Sequence, residues 1–117
     1  MPQYRITTYT GDLPNAGTDA NVYITLHGDG GTVGPSDLDN SENNFERGKV
    51  DHFTLDLSDV GPVERIHVRH DNSGDKPGWY LERVTVDVDG DHAEFPCDRW
   101  LAKDEDDHRT EVELKRA

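Results

Sequence analysis

Apolar residues fall at every second position in short runs along the whole chain, and clusters of Gly, Pro, Asp and Asn separate the runs. Val22, Ile24 and Leu26 share one parity, with Tyr23 and Thr25 on the other; Ile66 and Val68 alternate with Arg65, His67 and Arg69. A period of two marks a strand with one face on a core and the other in water. Eight such runs are predicted: Tyr4–Tyr9, Asn21–His27, His52–Leu57, Val63–His70, Trp79–Val88, His92–Pro96, Arg99–Leu101 and Arg109–Leu114. No run of a dozen residues carries a helical period, so the pattern is that of an all-β sandwich or barrel.

One run breaks the alternation. Val84, Val86 and Val88 share a face, but Leu81 falls on the opposite parity. A β-bulge near Glu82 resolves the conflict, as does burial of both faces at that end. The punctuation is clear: Gly61-Pro62 separates two strands, Asp71 to Gly78 forms a polar loop, and Val88-Asp89-Gly90-Asp91 is an Asp-Gly hairpin turn. Gly28-Asp29-Gly30-Gly31 and Gly34-Pro35 open a loop running to about Lys49, long enough to suggest function.

Length and charge narrow the classes. The 117 residues suit one domain spanning 1–117, with a net charge of −13 and a hydrophobic fraction of 32%. No apolar stretch approaches a membrane span. No basic segment leads into an apolar run at the N-terminus, so no secretory signal is visible and the cytoplasm is the expected compartment. A single cysteine, Cys97, excludes an intramolecular disulfide and reads as a buried, inert thiol. Nucleic acid is not an expected partner, because a net anion gains nothing from displacing the counterions of phosphates. The acidity is mostly aspartate, seventeen Asp against four Lys. That balance suits a salt-adapted protein, in which molar salt screens self-repulsion; an ordinary acidic surface, or carboxylates that serve cations, gives the same count.

Catalytic chemistry finds little support. The four serines include none in a Gly-x-Ser-x-Gly turn. His67 and His70 lie three apart on a strand and face opposite ways, which defeats a shared zinc site. The expectation is therefore a protein that is not an enzyme. Arg65, His67 and Arg69 share a strand face, with Arg83 expected nearby; they suit either an acidic partner or a ladder of cross-strand pairs. Three loops offer oxygen ligands of the kind calcium takes. These are Asn15 to Asp19, Asn40 to Glu46 with Glu42, Asn43, Asn44 and Glu46, and Asp71 to Asp75. Asp, Asn and Gly are also what turns are made of, so spacing alone leaves both readings open.

Four motifs in order resemble the PLAT domain, the β-sandwich shared by polycystins, lipoxygenases and alpha-toxin. They are Ala16-Gly17-Thr18-Asp19-Ala20-Asn21-Val22-Tyr23-Ile24-Thr25-Leu26-His27-Gly28, Asn44-Phe45-Glu46-Arg47-Gly48-Lys49-Val50-Asp51-His52-Phe53, Pro77-Gly78-Trp79-Tyr80-Leu81-Glu82-Arg83-Val84 and Phe95-Pro96-Cys97-Asp98-Arg99-Trp100-Leu101. Tyr4 and the Phe-Glu-Arg-Gly run are most similar to the N-terminal domain of animal lipoxygenases. The resemblance implies an eight-stranded antiparallel β-sandwich with a non-catalytic role, docking a neighbouring enzyme or receptor domain onto membranes or protein partners. It implies calcium as cofactor, with Gly17 and Thr18 offering backbone carbonyls and Asp19 a carboxylate. Asn43, Asn44 and Glu46 match the second loop's ligands, and Asp75 lies near an acidic ligand of the third. Leu13 and Trp100 are the candidates for membrane or partner contact. Lipid docking is disfavoured by the charge of −13. The alternative is a metal-independent interaction or structural sandwich whose acidic surface serves solubility at high salt.

Overall fold

A computed structural model describes residues 2–14, 16–18, 20–39, 45–72, 78–102 and 110–117. Its strands are β1 (Gln3–Thr10), β2 (Val22–Gly28), β3 (Gly31–Asp37), β4 (Val50–Asp56), β5 (Val63–His70), β6 (Trp79–Val88), β7 (Asp91–Leu101) and β8 (Glu111–Lys115). Two four-stranded antiparallel sheets, ordered β4-β1-β6-β7 and β3-β2-β5-β8, form the expected sandwich.

The period-two residues face each other between the sheets. Tyr4, Ile6, Phe53, Trp79, Val86 and Phe95 come from one sheet and Val22, Ile24, Leu26, Ile66 and Val68 from the other, all buried in one core cluster. Each such side chain contributes about 1.5–3 kcal/mol by leaving water, so the sheets associate through this face. Tyr4 also anchors the far end: its hydroxyl donates to Ser58 O at 3.1 Å and accepts from Val60 N–H at 3.1 Å.

Strand boundaries follow the sequence reading to within one or two residues except in two places. The loop expected from Gly28 to Lys49 contains β3, and the two runs His92–Pro96 and Arg99–Leu101 are one strand, β7. The total of eight therefore survives by adding one strand and merging two. β3 has no alternation because it is an edge strand held on one side by β2 and largely exposed on both faces. Its Gly34 lies at φ 117°, where an added Cβ would meet Ile24 O at 2.7 Å, and the β2–β3 register shifts there. β7 is also an edge, so Pro96, which lacks an N–H, can sit within it without interrupting the sheet.

The irregularity expected near Glu82 is present. Register shifts between Leu81 and Arg83 against β7, and β1 shifts at the same place, so Leu81 and Val84 both point inward. Asp98, on β7 opposite the bulge, has φ 51°. The Asp89-Gly90 turn has φ of 48° and 81°, the positive pair that a tight hairpin of this hand needs.

The basic face resolves into cross-strand contacts. Arg65 pairs with Glu113 at 2.5 Å, His67 lies 3.5 Å from Glu111, and Arg69 covers the Tyr23 ring at 4.4 Å. Arg83 is not beside them. It belongs to the other sheet, where it covers Tyr9 at 4.1 Å and lies 3.7 Å from Glu94. Cys97 is half-buried and packs against the core.

Tyr4→Phe tests the anchor between β1 and the 57–62 turn. The change strands a buried Val60 N–H and should cost about 1–2 kcal/mol. Urea unfolding should show a lower midpoint with an unchanged slope; an unchanged midpoint would remove this anchor from the account.

Candidate metal-binding loops

Antiparallel order sends the connections after β1, β3, β5 and β7 to one end of the sandwich. The first two are clasped together there. Thr18 N–H donates to Phe45 O at 2.9 Å. A Cβ on Gly17 would stand 2.8 Å from Phe45 O, 3.0 Å from Arg47 N and 3.2 Å from Glu46 Cα, so only glycine fits this cradle. On the other side of the turn, Gly48 N–H donates to Gly11 O and Thr10 N–H to Lys49 O, each at 3.1 Å. Arg47 adds an exposed ion pair to Asp12 at 2.9 Å.

Phe45 makes the turn. Its φ is 61°, left-handed for a non-glycine residue, which costs about 1–2 kcal/mol. Two gains oppose that cost. The buried ring stacks on Phe53 at 5.7 Å and meets Trp79 edge-on at 5.1 Å, and burying a phenylalanine contributes about 1.5–3 kcal/mol. Phe45 N–H donates to Asp51 Oδ2 at 2.8 Å, and hydrogen bonds to charged groups contribute about 1.5–3 kcal/mol. Burial and the charged hydrogen bond together outweigh the backbone strain. Trp79 is fixed in turn by Nε1–H donation to Thr10 Oγ1 at 2.9 Å.

The first and third connections meet at Asp71. Its carboxylate accepts from Asn21 N–H at 3.1 Å and Asn21 Nδ2 at 2.9 Å, and Asp71 N–H returns a bond to Asn21 O at 3.1 Å. His70, buried beside it, ties the end of β5 to the end of β7 and to the residue before β8. Its Nδ1 accepts from Asn72 N–H at 3.0 Å, so Nε2 carries the proton and donates to Leu101 O at 2.5 Å; His70 N–H donates to Thr110 O at 3.0 Å. Burial pushes the imidazole below its ordinary value of 6.5, against the opposing pull of Leu101 O and the Asp71 charge.

Of the residues proposed from sequence to bind calcium, Gly17, Thr18 and Glu46 are brought together by this clasp. Asp19, Asn43, Asn44 and Asp75 lie outside the described residues. Thr18 turns its hydroxyl back to accept from Ala20 N–H at 3.1 Å, and Glu46 is exposed. Among the described residues, no group of three or more His, Cys, Asp or Glu could hold a metal ion. The donors implied here are hard oxygens, carbonyls and carboxylates, which match calcium in kind, and the glycine cradle brings their two backbones into contact. Leu13 is 41% exposed in the first connection. Trp100 is half-buried on the outer face of its sheet, edge-on to Tyr80 at 5.5 Å.

Two residues that matter here escaped the sequence reading. Asp51 stands on the same parity as Phe53, a carboxylate among inward-facing positions, and that parity was a usable signal. His70 carried the same signal, on the inward parity with Ile66 and Val68, but its partners at Asn72, Leu101 and Thr110 are distant in the chain or set by loop geometry.

Residues 4–114 match the PLAT/LH2 domain family, and the chain belongs to it. It is 49% identical over 97% of its length to lipoxygenase homology domain-containing protein 1 of Mus musculus, and 40% identical over 86% to polycystin-1-like protein 3 of the same species. It spans 6% and 5% of those relatives' lengths. Among solved structures, a coral 8R-lipoxygenase described as activated by calcium through a C2-like domain superposes with TM-score 0.87. Identity is 29%, covering 98% of this chain and 17% of that one. A calcium-dependent 11R-lipoxygenase gives TM-score 0.77 at 31% identity, covering 99% of this chain and 17% of the other.

His70 predicts an acid-sensitive loop end. Its folded pKa lies below the unfolded value, so its contribution is fully present above about pH 6.5 and is lost as pH falls through the folded value. Denaturant unfolding at pH 7.5 and pH 5 should show a larger loss in the native protein than in His70→Gln. Equal losses would show that the imidazole is not responsible.

Proposed function

We propose that the chain is a non-catalytic calcium-binding module that presents one end of a β-sandwich to a protein partner or a neighbouring enzyme domain. The observation that carries this reading is the Gly17 cradle, which holds the backbone of Gly17–Thr18 against Glu46 where two candidate ligand loops meet. The calcium-regulated lipoxygenases of the same fold support it by analogy.

In this reading the Gly17 and Thr18 carbonyls and the Asp19 carboxylate supply one side of the site. Asn43, Asn44 and Glu46 supply the other, and Asp75 approaches from the third loop. A calcium ion bound there supplies fixed positive charge that relieves repulsion among the carboxylates. Leu13 and Trp100 flank this end and are the proposed contact residues. A protein partner is favoured over a lipid surface, since a charge of −13 opposes attraction to anionic headgroups.

The second reading, a metal-independent sandwich whose acidic surface serves solubility at high salt, rests on the same clasp, because protein hydrogen bonds alone already close these loops. Acid crowding elsewhere is in keeping with it: a hydrogen bond with Asp29, then the Asp29 charge, raises the Glu64 carboxyl.

Calorimetric titration of chelator-treated protein with calcium, in low salt and in molar KCl with magnesium as control, separates the readings. Saturable calcium binding that persists in salt supports the module, and Gly17→Ala or Asp19→Ala should then weaken it about tenfold or more. Heat that disappears in KCl, or that magnesium reproduces, favours the metal-independent sandwich.

A further inference from the structure

Asp51 stands out among the charged side chains because its carboxylate is fully withdrawn from water, at 0% exposure. One oxygen accepts Phe45 N–H at 2.8 Å. The other lies 3.2 Å from Lys49 Nζ without a hydrogen bond. A carboxylate buried on the inner parity of a strand is costly unless it is paired and hydrogen-bonded, as Asp51 is by Lys49 and Phe45 N–H. Its role is local: residues 45 to 49 form the turn that closes on the first loop, and Asp51 grips that turn at its start and faces Lys49 at its end.

We propose that Asp51 is the positioning residue of the cation site, holding Phe45 in its left-handed turn so that Phe45 O receives Thr18 N–H and the Gly17–Glu46 cradle exists before any ion arrives. The chain of contacts is continuous. Asp51 Oδ2 fixes Phe45 N; the Phe45 ring is locked between Phe53 and Trp79; Phe45 O then points at Thr18 N, 2.9 Å away. Without the carboxylate, the left-handed residue loses the bond that offsets its strain, and its carbonyl is free to turn from Thr18. Lys49 balances the charge, so the grip does not add a bare anion beneath the loops. Asp51 acts only through Phe45 and is not itself assigned as a ligand. The inference deepens the calcium reading and rests on it for its second arm alone.

The test has two arms on the whole chain. In the first, amide hydrogen exchange is followed without calcium at Thr18 and Phe45, each expressed relative to Val84 so that a global loss of stability cancels. Asp51→Ala should speed exchange at both amides at least tenfold over Val84, while Asp51→Asn, which retains an acceptor oxygen, should stay within about threefold of the native protein. Should Asp51→Ala fail to fold, Asp51→Ser keeps a polar group there, is one bond too short to reach Phe45 N–H, and should behave as the alanine was expected to. Unchanged relative exchange at Thr18 in the folded short variant overturns the proposal. The second arm titrates the same proteins with calcium. Affinity should fall about tenfold for the short variant and recover for Asp51→Asn; loss of the clasp with native affinity would overturn the positioning role. A native protein that ignores calcium sinks the calcium reading and with it the cation-site role, while the first arm still decides whether Asp51 builds the clasp.

Discussion

The turn at Phe45 governs the loop end because it must satisfy three demands with one residue. Its ring has to complete the aromatic group with Phe53 and Trp79, its N–H has to reach the buried Asp51 carboxylate, and its carbonyl has to face Thr18. A right-handed backbone at this point would redirect at least one of these groups. The left-handed φ of 61° is therefore sustained by the core on one side and by a buried charge on the other. From that residue the constraint passes outward to Gly17, whose missing Cβ lets the first loop settle on the second. The candidate site is thus an extension of the hydrophobic core.

The rest of this end is closed by the same kind of local polar economy. Asp71 satisfies both hydrogen-bonding groups that Asn21 offers on that side, and His70 spends each ring nitrogen on a backbone group of a different segment. The bond from Asn72 N–H to Nδ1 exists only when the imidazole is neutral, the state that burial favours, while the bond to Leu101 O pulls the other way. At the opposite end Arg116 grips Asp91 with two nitrogens, at 2.8 and 3.0 Å, and that hydrogen-bonded pair holds the Asp91 carboxyl below its ordinary value. Over the sheet faces the basic residues are mostly spent on neighbouring carboxylates and rings, Arg65 on Glu113 and Arg69 on Tyr23. A surplus of 25 acidic over 12 basic residues then leaves the surface anionic.

The bulge in β6 joins these two themes. By returning Leu81 and Val84 to the same face it keeps Trp79, Leu81 and Val84 all in the core. It also leaves Tyr80 on the outer face between Gly11 and Trp100, where an added Cβ at Gly11 would collide with the Tyr80 ring at 2.5 Å. Trp100 thus has an aromatic neighbour on the sheet while staying half-buried. Shape at this edge comes from strand register more than from loop composition.

By itself, the sequence determined an all-β fold, the inward residues of the regular strands, the Asp89-Gly90 hairpin and the break in alternation at Leu81, because each leaves a local trace in alternation or turn chemistry; motif resemblance narrowed the fold to a sandwich. It also brought the Gly17–Thr18 and Glu46 segments forward through motif resemblance. Tertiary structure alone decided that β3 is a strand, since an exposed edge with Gly34 and Pro35 needs no hydrophobic alternation and is held only by its neighbour. It alone joined the halves of β7 across Cys97 and Asp98 and moved Arg83 to the other sheet, because pairing is a relation between segments that no single segment encodes. The clasp of Phe45 on Thr18 and the neutral His70 belong to the same class. Their partners are remote in sequence, and the energies that fix them arise only when the core has brought those partners into contact.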